Sequence, residues 1–336
     1  MRSRIRKILV TGGAGFIGSE FVRQNVKKGL NIVVVDKLTY AGDIKRLKEV
    51  KNKIKFYKID ICDLPKLKKI FQKEKPTQVV HFAAETHVDR SLHDVTPFIE
   101  TNIIGTQNLI DCIRESSIQK ILHVSTDEVY GESSSGKFRE DLPLKPNNPY
   151  SATKASAELL IKAAVRTYGL PVVIVRPANN YGPWQYPEKF IPVIFFKALN
   201  NQKIPVYGQG KQIREWLYVG DCARAIEMIL KDGKIGEVYN VGSYFEMPNL
   251  KTAQTILRLL KKSPDLIEFV KDRPGHDFRY SVDCSKLHRL GWKPKVNFNA
   301  GIKQTLDWYT QNRFWAEHKI KFLKKLWARV YQAKNN

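Results

Sequence analysis

Apolar residues in the first part of the chain follow two spacings, one typical of buried strands and one typical of helices. KILVT (7–11) and NIVVVD (31–36) are short β-branched runs, and the segment between them has apolar residues at 16, 17, 21, 22 and 26. The runs predict strands, and the wider spacing predicts an amphipathic helix. The segment is therefore predicted to fold as a strand, a glycine-rich turn, a helix and a second strand.

The same alternation continues to about residue 177. Further strands are predicted at 54–60, 77–83, 120–126 and 171–177, and further helices at 65–74, 97–116 and 150–168. Strands and helices that alternate at this short spacing form a parallel sheet with helices on both faces. Because crossovers between parallel strands are right-handed, we expect a doubly wound α/β fold of the Rossmann type.

After Pro177 the pattern changes to segments rich in proline and glycine. We expect residues 1–177 to form a dinucleotide-binding domain, with 216–241 returning to its sheet, and residues 178–310 to form a smaller substrate-binding lobe. The two parts are expected to pack together and leave a cleft. Residues 311–336 form a basic amphipathic tail that we expect to dock on the protein's own core or on a second subunit. Peripheral contact of this tail with an anionic membrane is the alternative.

The 336 residues include 57 lysines and arginines against 33 aspartates and glutamates, a net charge of +24. The lysines are spread over many elements, which indicates a solvated surface or a phosphorylated small substrate and argues against nucleic acid as the partner. A basic start that leads straight into a strand, without an apolar run of about 18 residues, predicts a cytoplasmic protein. Four widely spaced cysteines are expected to be reduced thiols, and the spacing of cysteines and histidines indicates no metal site.

The glycine-rich turn is the first candidate site. The first predicted strand is followed directly by Gly12, Gly13, Gly15 and Gly18. Glycines there let backbone N–H groups approach a pyrophosphate, which the positive end of the helix dipole also attracts. Asp36 ends the second strand, where a carboxylate binds both ribose hydroxyls and repels a 2′-phosphate, so NAD is favoured over NADP. Lys37 weakens this preference slightly, and a plain βα turn is the alternative interpretation of the glycines.

Tyr150 and Lys154 form the second candidate site. They lie one turn apart on the same face of a predicted helix. An ammonium beside a phenol lowers the pKa of the phenol, so Tyr150 is expected to take a proton from a sugar hydroxyl as hydride leaves the same carbon. This spacing also occurs on exposed helices without function. Its position downstream of a nucleotide-binding turn is what favours catalysis.

Asp127 and Glu128 form the third candidate site, at the end of the predicted strand 120–126. Ligands of parallel α/β sheets bind at the carboxyl ends of the strands. Two neighbouring carboxyls in different environments supply one acid and one base, which elimination of water requires. Capping of the next turn is the alternative role for this pair.

The chain resembles the nucleotide-sugar 4,6-dehydratases of the extended short-chain dehydrogenase/reductase superfamily. The resemblance covers about residues 7–310 and is carried by TGGAGFIGS, DKLTYAG, AAETHVDRS, STDEVYGE, YSATK, NNYGPWQYPEKFIP, QIREWLYVGD and DRPGHDFRY. The glycine turn and the Tyr150–Lys154 pair are shared with epimerases, decarboxylases and reductases of the superfamily. The triplet Thr126-Asp127-Glu128 is the part that distinguishes the dehydratases.

The resemblance implies an NAD-dependent hydro-lyase that produces a 4-keto-6-deoxy sugar nucleotide. Tyr150 would remove the O4 proton while NAD takes hydride from C4, and Glu128 would remove the C5 proton. Asp127 would protonate the departing C6 hydroxyl before hydride returns to C6, and Thr126 would hydrogen-bond the C4 oxygen. Thr126 as a plain strand-end hydroxyl is the alternative. The resemblance favours dTDP-glucose, whereas VYGQGKQ and SYFEMPN leave thymine, uracil and cytosine open.

The resemblance also implies the residues that contact each ligand. The expected cofactor contacts are Gly12, Gly15, Phe16, Ile17, Gly18, Asp36, Lys37, Leu38, Thr39, Asp60, Ile61, Ala83, Ala84, Thr101, Tyr150, Lys154 and Asn180. The expected sugar-nucleotide contacts are Thr86, Thr126, Asn179, Lys189, Phe190, Tyr207, Arg214, Asn249, Arg273 and His276. Independently of the resemblance, two arginines suit a buried pyrophosphate because guanidinium groups are forked donors. His276 is equally well explained as a turn histidine without a ligand.

Three further expectations complete the sequence interpretation. The resemblance implies a homodimer that pairs the helices 97–116 and 150–168 of two subunits. The basic tail and the high net charge lie outside the shared pattern. The alternative functions are an epimerase or decarboxylase on the same fold, and a non-catalytic protein that binds NAD or a nucleotide.

Overall fold

The structure is a computed structural model that describes residues 6–332, without the side chains of residues 322 and 324–332. The described strands are β1 (Lys7–Thr11), β2 (Asn31–Asp36), β3 (Ile54–Lys58), β4 (Gln78–His81), β5 (Lys120–Val124), β6 (Val172–Pro177), β7 (Asn179–Tyr181), β8 (Ile204–Tyr207), β9 (Ile213–Tyr218), β10 (Val238–Val241), β11 (Glu246–Pro248) and β12 (Ile267–Val270). The described α-helices are α1 (Phe16–Lys27), α2 (Leu64–Glu74), α3 (Val88–Ser91), α4 (Thr96–Phe98), α5 (Gly105–Arg114), α6 (Pro149–Tyr168), α7 (Phe190–Leu199), α8 (Val219–Asp232), α9 (Asn249–Leu259), α10 (Ser285–Arg289), α11 (Phe298–Gln311) and α12 (Arg313–Gln332). Short 3₁₀ helices span Ile44–Lys53, Asp127–Tyr130 and Pro264–Leu266, and a π-helical segment spans Ile99–Ile104.

A seven-stranded sheet organises the larger part of the molecule. Its order is β3-β2-β1-β4-β5-β6-β10, and every neighbouring pair is parallel. The strand order reverses between β1 and β4, which opens a crevice at the carboxyl ends of these strands. The predicted doubly wound α/β fold is confirmed. Strand β10, which lies within the predicted return segment 216–241, pairs with β6 at one edge.

Two apolar cores cover the two faces of this sheet. Along β1, Ile8 and Val10 pack on the face covered by α1 and α8, whereas Leu9 packs on the opposite face against α2 and α5. Successive side chains of a strand point to opposite faces, so a strand covered on both sides is apolar at every position. This explains why β1, β2 and β6 are nearly continuous runs of Val, Ile and Leu.

The smaller lobe is built on a three-stranded sheet in the order β11-β9-β7 and a parallel pair of β12 and β8. Its core contains apolar residues of α7, α9, α11 and the beginning of α12. Trp315 and Ala316 of α12 are buried in this core, so the first part of the predicted tail docks on its own chain. The apolar positions of the tail beyond Leu323 lie outside the described side chains. Along residues 6–332, no helix is long and apolar enough to cross a membrane.

The helix predicted at 97–116 is interrupted. Residues Ile99–Ile104 form the π-helical segment between α4 and α5. Here Asn102, which is 1% exposed, accepts a hydrogen bond from the Glu85 backbone at 2.9 Å and donates to Thr153 Oγ1 at 2.9 Å. The segment therefore connects the loop after β4 to α6, and π-helical turns are frequent at functional sites.

Candidate active site

The glycine turn between β1 and α1 brings backbone unusually close together. Gly12 has φ +69°, and a Cβ atom added there would lie 2.5 Å from the backbone nitrogen of Ala83 after β4. A Cβ atom added to Gly18 would clash with the Gly12 carbonyl. Glycine at these positions therefore lets the N-terminus of α1 approach the crevice between β1 and β4, where a helix N-terminus attracts a phosphate group.

Asp36 lies at the end of β2 and is tied to the same turn. Its two carboxylate oxygens accept hydrogen bonds from the backbone nitrogens of Ala14, at 2.9 Å, and Leu38, at 2.8 Å. Burial raises the pKa of Asp36, and these two hydrogen bonds act against that shift. Leu38 has φ +56°, and its side chain packs against the core of the sheet. Its contribution to the site is therefore the backbone N–H that donates to Asp36.

Two cations near Asp36 are already committed to protein partners. Lys37 Nζ lies 2.5 Å from Asp60 Oδ2. Arg46, only 1% exposed, donates to the carbonyls of Ala14 and Trp184, both at 2.9 Å. A 2′-phosphate needs a cation that is free to meet it. The geometry around Asp36 therefore suits a ribose with both hydroxyls, as in NAD.

A cavity of about 300 Å³ extends from the glycine turn to the end of β5. With the exception of Leu38, every expected cofactor contact lines it: Gly12, Gly15, Phe16, Ile17, Gly18, Asp36, Lys37, Thr39, Asp60, Ile61, Ala83, Ala84, Thr101, Tyr150, Lys154 and Asn180. The structure thus brings together residues from the ends of β1, β2, β3 and β4, from the π-helical segment, from α6 and from β7.

A second cavity of about 190 Å³ lies beside the first, between the two parts of the molecule. The expected sugar-nucleotide contacts that line it are Thr86, Asn179, Lys189, Phe190, Tyr207, Arg214, Asn249, Arg273 and His276. Thr126 lines the first cavity, and Glu128 lines both. Glu128 therefore stands where the two cavities meet.

The carboxyl pair follows β5 on a short 3₁₀ helix. Thr126 is the N-cap of this helix, and its Oγ1 accepts a hydrogen bond from the Glu128 backbone nitrogen at 3.3 Å. The threonine, and not either carboxylate, thus caps the turn. Asp127 Oδ2 and Glu128 Oε2 are buried without a hydrogen-bond partner among the described residues. Both carboxyls are therefore available to a ligand in the cavity.

The two carboxyls have different surroundings. Burial raises the pKa of Asp127 well above its usual range, and the neighbouring Glu128 and Glu215 raise it further. Burial also raises the pKa of Glu128, but the positive charges of Arg273, Arg214 and Lys189 oppose that shift. Different environments of this kind assign the acid and the base in a pair. Here they favour a protonated Asp127 and an ionised Glu128.

Helix α6 carries Tyr150 and Lys154 one turn apart. Asn148 caps the helix by accepting from Ser151 N at 2.9 Å, and the Tyr150 backbone nitrogen donates to Ser91 Oγ at 3.2 Å. These contacts fix the first turn of α6 next to the loop after β4. Tyr150 and Lys154 are 6% and 3% exposed, respectively, and both line the first cavity.

The expectation that Lys154 lowers the pKa of Tyr150 is wrong, because Lys154 is not among the groups that shift this pKa. Burial raises the pKa of Tyr150, Glu128 raises it further, and a hydrogen bond with the Thr126 side chain lowers it. Lys154 Nζ instead donates to the Val124 carbonyl at 2.8 Å. Burial lowers the pKa of Lys154 to about 8.

Two arginines of the smaller lobe face the second cavity. Arg214 donates to the backbone carbonyls of Ile213 and Asp277 at 2.8 and 2.9 Å and is 6% exposed. Arg273 Nη1 donates to Asp89 Oδ1 at 3.1 Å, whereas its Nε is buried without a partner among the described residues. An oriented guanidinium with an unused N–H donor is suited to a phosphate oxygen.

Other polar groups of the second cavity are also oriented by the protein. His276 Nδ1 lies 2.6 Å from Asp272 Oδ1, and burial lowers the pKa of His276 to about 4, so the ring is neutral at physiological pH. Lys189 Nζ donates to the Thr86 carbonyl at 2.9 Å. The side-chain oxygens of Asn179 and Asn249 are buried without a partner among the described residues, which suits a polar ligand.

Sequence reasoning did not single out a cluster that joins three loops around the cavities. Glu188 accepts from Arg90 Nε and Nη2, at 3.1 and 3.0 Å, and from the Tyr40 hydroxyl at 3.1 Å. The Arg90 guanidinium stacks 3.7 Å from the centre of the Tyr40 ring. These residues lie far apart in sequence. The only sequence signal was that Arg90 and Glu188 lie within the motifs AAETHVDRS and NNYGPWQYPEKFIP.

Within the part of the chain that the structure describes, no group of three or more His, Cys, Asp or Glu side chains is arranged to hold a metal ion.

The chain is similar to known proteins in both sequence and fold. The family model described as GDP-mannose 4,6-dehydratase matches residues 9–305. A dTDP-glucose 4,6-dehydratase of Neisseria meningitidis serogroup B is 45% identical over 93% of this chain and 95% of its own. DesIV, a dTDP-glucose 4,6-dehydratase from Streptomyces venezuelae solved with NAD bound, is 42% identical, with a TM-score of 0.91 over 93% of this chain and 99% of its own. A UDP-glucose 4-epimerase from Thermus thermophilus, solved with NAD, is 31% identical, with a TM-score of 0.85 over 90% of this chain and 99% of its own.

Proposed function

The chain belongs to the GDP-mannose 4,6-dehydratase family, and on that premise we propose that it is an NAD-dependent hydro-lyase that dehydrates a hexose nucleotide. We propose dTDP-glucose as its substrate, because relatives that are 45% and 44% identical to this chain are named dTDP-glucose 4,6-dehydratases. The observation that carries the proposal is the position of Asp127 and Glu128. They stand next to Tyr150, and Glu128 lines both cavities.

NAD fits the first cavity on the evidence of the chain itself. The glycine turn accepts no Cβ atom at Gly12 or Gly18, and Asp36 is oriented by two backbone hydrogen bonds. The glycine turn and the N-terminus of α1 would hold the pyrophosphate, and Asp36 would hold the adenosine ribose. When bound, NAD supplies the hydride acceptor for C4 and the hydride donor for C6.

The residues of the chain then move the protons. Tyr150 accepts the O4 proton when C4 is oxidised, and Thr126 stabilises the C4 oxygen. The new ketone acidifies the C5 proton, which Glu128 removes as a base whose pKa is raised by burial and held down by three nearby cations. Asp127, kept neutral by burial, protonates the departing C6 hydroxyl so that it leaves as water. Glu128 returns its proton to C5 when hydride reaches C6.

The alternatives account for fewer of these groups. Epimerisation at C4 requires oxidation and reduction but no acid and base at C5 and C6, so it leaves Asp127 and Glu128 without a role. A protein that only binds NAD or a nucleotide has no need of two carboxyls beside Tyr150 that each have a buried oxygen without a partner among the described residues. The fold itself does not decide, because the epimerase described above shares it.

The test is incubation of the purified protein with dTDP-, UDP-, CDP- and GDP-glucose without added cofactor. We expect a 4-keto product, detected by its absorbance in alkali, from dTDP-glucose. D127N and E128Q should each lower the dehydration rate at least about 100-fold, because each removes one proton transfer, and should leave the bound NAD unchanged. E115Q and D141N, at exposed carboxylates 57% and 65% accessible, are the matched controls. Full turnover by both D127N and E128Q would exclude the assigned roles.

We also propose a homodimer in the cytoplasm. Ile99, Ile104 and Leu159, which are 40%, 49% and 59% exposed, place apolar side chains on the surface of the π-helical segment and α6. An isologous contact between two copies would cover these residues. The four cysteines are free thiols, as a reducing compartment favours. We expect twice the monomer mass in sedimentation, and L159K should shift the protein toward monomer, whereas the control I235K, at a site 50% exposed on another surface, should not.

A further inference from the structure

Tyr40, Arg90 and Glu188, together called the Glu188 cluster, lie on three segments that border the two cavities. Tyr40 follows Thr39 of the first cavity, in the loop after β2. Arg90 lies on α3, directly after the loop that carries Thr86, a residue of both cavities. Glu188 itself lines both cavities. The cluster therefore joins the surroundings of the expected cofactor to those of the expected substrate.

Every member of the cluster contacts the other two. Glu188 Oε2 accepts from Arg90 Nε and Nη2, at 3.1 and 3.0 Å, and Glu188 Oε1 accepts from the Tyr40 hydroxyl at 3.1 Å. The Arg90 guanidinium lies 3.7 Å from the centre of the Tyr40 ring, a cation–π contact. Both oxygens of the Glu188 carboxylate are thus used inside the cluster, so this carboxylate holds its neighbours and is not assigned a proton transfer.

Further hydrogen bonds connect the same three segments. Arg46 donates to the Trp184 carbonyl at 2.9 Å and also to the Ala41 carbonyl, which ties the loop after β2 to the segment that leads into α7. Lys189 Nζ donates to the Thr86 carbonyl at 2.9 Å, which ties that same segment to the loop after β4. Each segment is therefore bonded to the other two, and a shift of one breaks contacts with both.

The cluster crosses from one part of the molecule to the other. Glu188 lies in the segment that enters the smaller lobe, 98 and 148 positions from Arg90 and Tyr40 of the larger part. Its side chain is 2% exposed, and that of Arg90 is 25% exposed. A buried carboxylate that loses its cationic partner leaves an uncompensated charge, so the two parts are held in one arrangement at this point.

We propose that Glu188 is a positioning residue that couples binding of NAD in the first cavity to binding of the sugar nucleotide in the second. When NAD holds the loop after β2 in place, the Glu188 cluster holds the segment that carries Lys189 and Phe190. The sugar nucleotide then meets a site that is already arranged, and by reciprocity it strengthens the binding of NAD.

This coupling rests on the proposed function and explains a need of that reaction. The hydride taken from C4 must return to C6 of the same sugar, so the reduced cofactor must stay bound until the cycle ends. An enzyme that holds its cofactor more tightly while the sugar nucleotide is bound meets this need. The coupling is therefore expected to appear as slower loss of NAD when the second cavity is occupied.

The test measures exchange of the cofactor in the holoenzyme. Purified holoenzyme is mixed with an excess of isotopically labelled NAD, and the exchange rate is measured with and without saturating dTDP, which carries no sugar and cannot react. If the substrate test selects another nucleotide, its diphosphate replaces dTDP. Because differences in affinity lie mostly in dissociation rates, dTDP should slow exchange in wild type at least about 10-fold.

Two variants interrupt the cluster to different extents. E188Q keeps the shape but removes the charge that pairs with Arg90, so dTDP should slow exchange no more than about 3-fold. Y40F keeps the ring beside Arg90 and loses only the hydrogen bond to Glu188, so its slowing should lie between those of E188Q and wild type.

The matched control is E74Q. Glu74 is also a fully buried carboxylate that accepts from a tyrosine hydroxyl, that of Tyr57 at 2.7 Å, and from a lysine, Lys55 at 3.0 Å. None of these three residues lines either cavity. In E74Q, dTDP should therefore slow exchange as much as in wild type.

The outcomes separate this inference from the proposed function. Equal slowing by dTDP in wild type, E188Q and Y40F would overturn the coupling through Glu188, as would the absence of any slowing in wild type. Loss of the slowing in E74Q to the same extent as in E188Q would also overturn it, because any buried carboxylate would then have the same effect. Failure of wild type to convert any of the four glucose nucleotides would instead refute the proposed function.

Discussion

At the residue scale, surroundings and not residue type distinguish the two neighbouring carboxyls. Asp127 is enclosed and faces two other carboxylates, whereas Glu128 faces the cations Arg273, Arg214 and Lys189 from the smaller lobe. A buried carboxyl stays neutral unless opposite charges stabilise its ionised form. The smaller lobe therefore acts on the chemistry of the larger one, by setting which of the two carboxyls is the base.

The first prediction concerns the pH dependence of Lys154. Burial lowers its pKa to about 8, so its ammonium is charged below that pH and lost above it. Because Lys154 lines the first cavity, its neutral form no longer offers a cation to a ligand bound there, and kcat should fall up to about 10-fold per pH unit above pH 8. K154R keeps its charge and should flatten this alkaline limb, at a lower maximum rate. A wild-type kcat that is constant to about pH 9.5 would contradict the prediction.

Sequence reasoning identified those site residues that belong to local motifs. The turn at Gly12, the pair Tyr150–Lys154 and the triplet at Thr126 each lie within a few positions of one another. The Glu188 cluster and the Asp89–Arg273 pair join segments about 100 to 184 positions apart, and no local spacing encodes such contacts. The raised pKa of Tyr150 was missed for a similar reason, because it depends on burial and on Glu128.

At the element scale, α6 is held in place by a buried ion pair. Arg176 of β6 donates to both carboxylate oxygens of Glu158, at 2.9 and 2.6 Å, and both side chains are fully buried. The same guanidinium lies 4.5 Å from the ring of Tyr130, at the end of the 3₁₀ helix that carries Asp127 and Glu128. The pair thus connects the helix that holds Tyr150 to the carboxyl pair.

The second prediction is that E158Q is strongly destabilising. It leaves the Arg176 charge buried without its partner, so the free energy of unfolding, measured by chemical denaturation, should fall by about 3–5 kcal/mol. The control D307N breaks an exposed pair, with Lys303 and Asp307 75% and 57% accessible, and should cost no more than about 1 kcal/mol. Similar losses in the free energy of unfolding of the two variants would show that the buried pair stabilises the protein no more than an exposed pair does.

The elements themselves were predicted best where burial on both sides leaves a clear pattern. The bounds of β1 and β2 agree with the predicted 7–11 and 31–36, because both are apolar runs that end at a glycine turn or a polar residue. The π-helical segment was not predicted, since a tertiary contact made by Asn102 accompanies it. The sheets of the smaller lobe were only outlined, because short strands between prolines and glycines carry little periodic signal.

At the scale of the whole molecule, the C-terminal helix connects the smaller lobe to the cofactor cavity. Trp315 of α12 packs against Trp184 and Trp308, and its Nε1 donates to Asp43 Oδ2 at 2.8 Å. Asp43 caps the 3₁₀ helix Ile44–Lys53, which contains Arg46 of the cavity wall. Helix α12, which follows residues 9–305 matched by the family model, thus supports the loop beside Asp36.

The last prediction is that this contact affects both stability and cofactor affinity. W315A removes a large buried side chain and should lower the free energy of unfolding by about 3–5 kcal/mol. W315F keeps most of the packing but loses the hydrogen bond to Asp43, so its cost should be about 0.5–1.5 kcal/mol. F314A changes a neighbour that is 82% exposed and should stay within about 0.5 kcal/mol of wild type. If α12 holds the wall of the cavity, NAD affinity measured by calorimetry on cofactor-depleted protein should fall in the same order. A stable W315A protein with wild-type affinity would show that the helix only covers the surface.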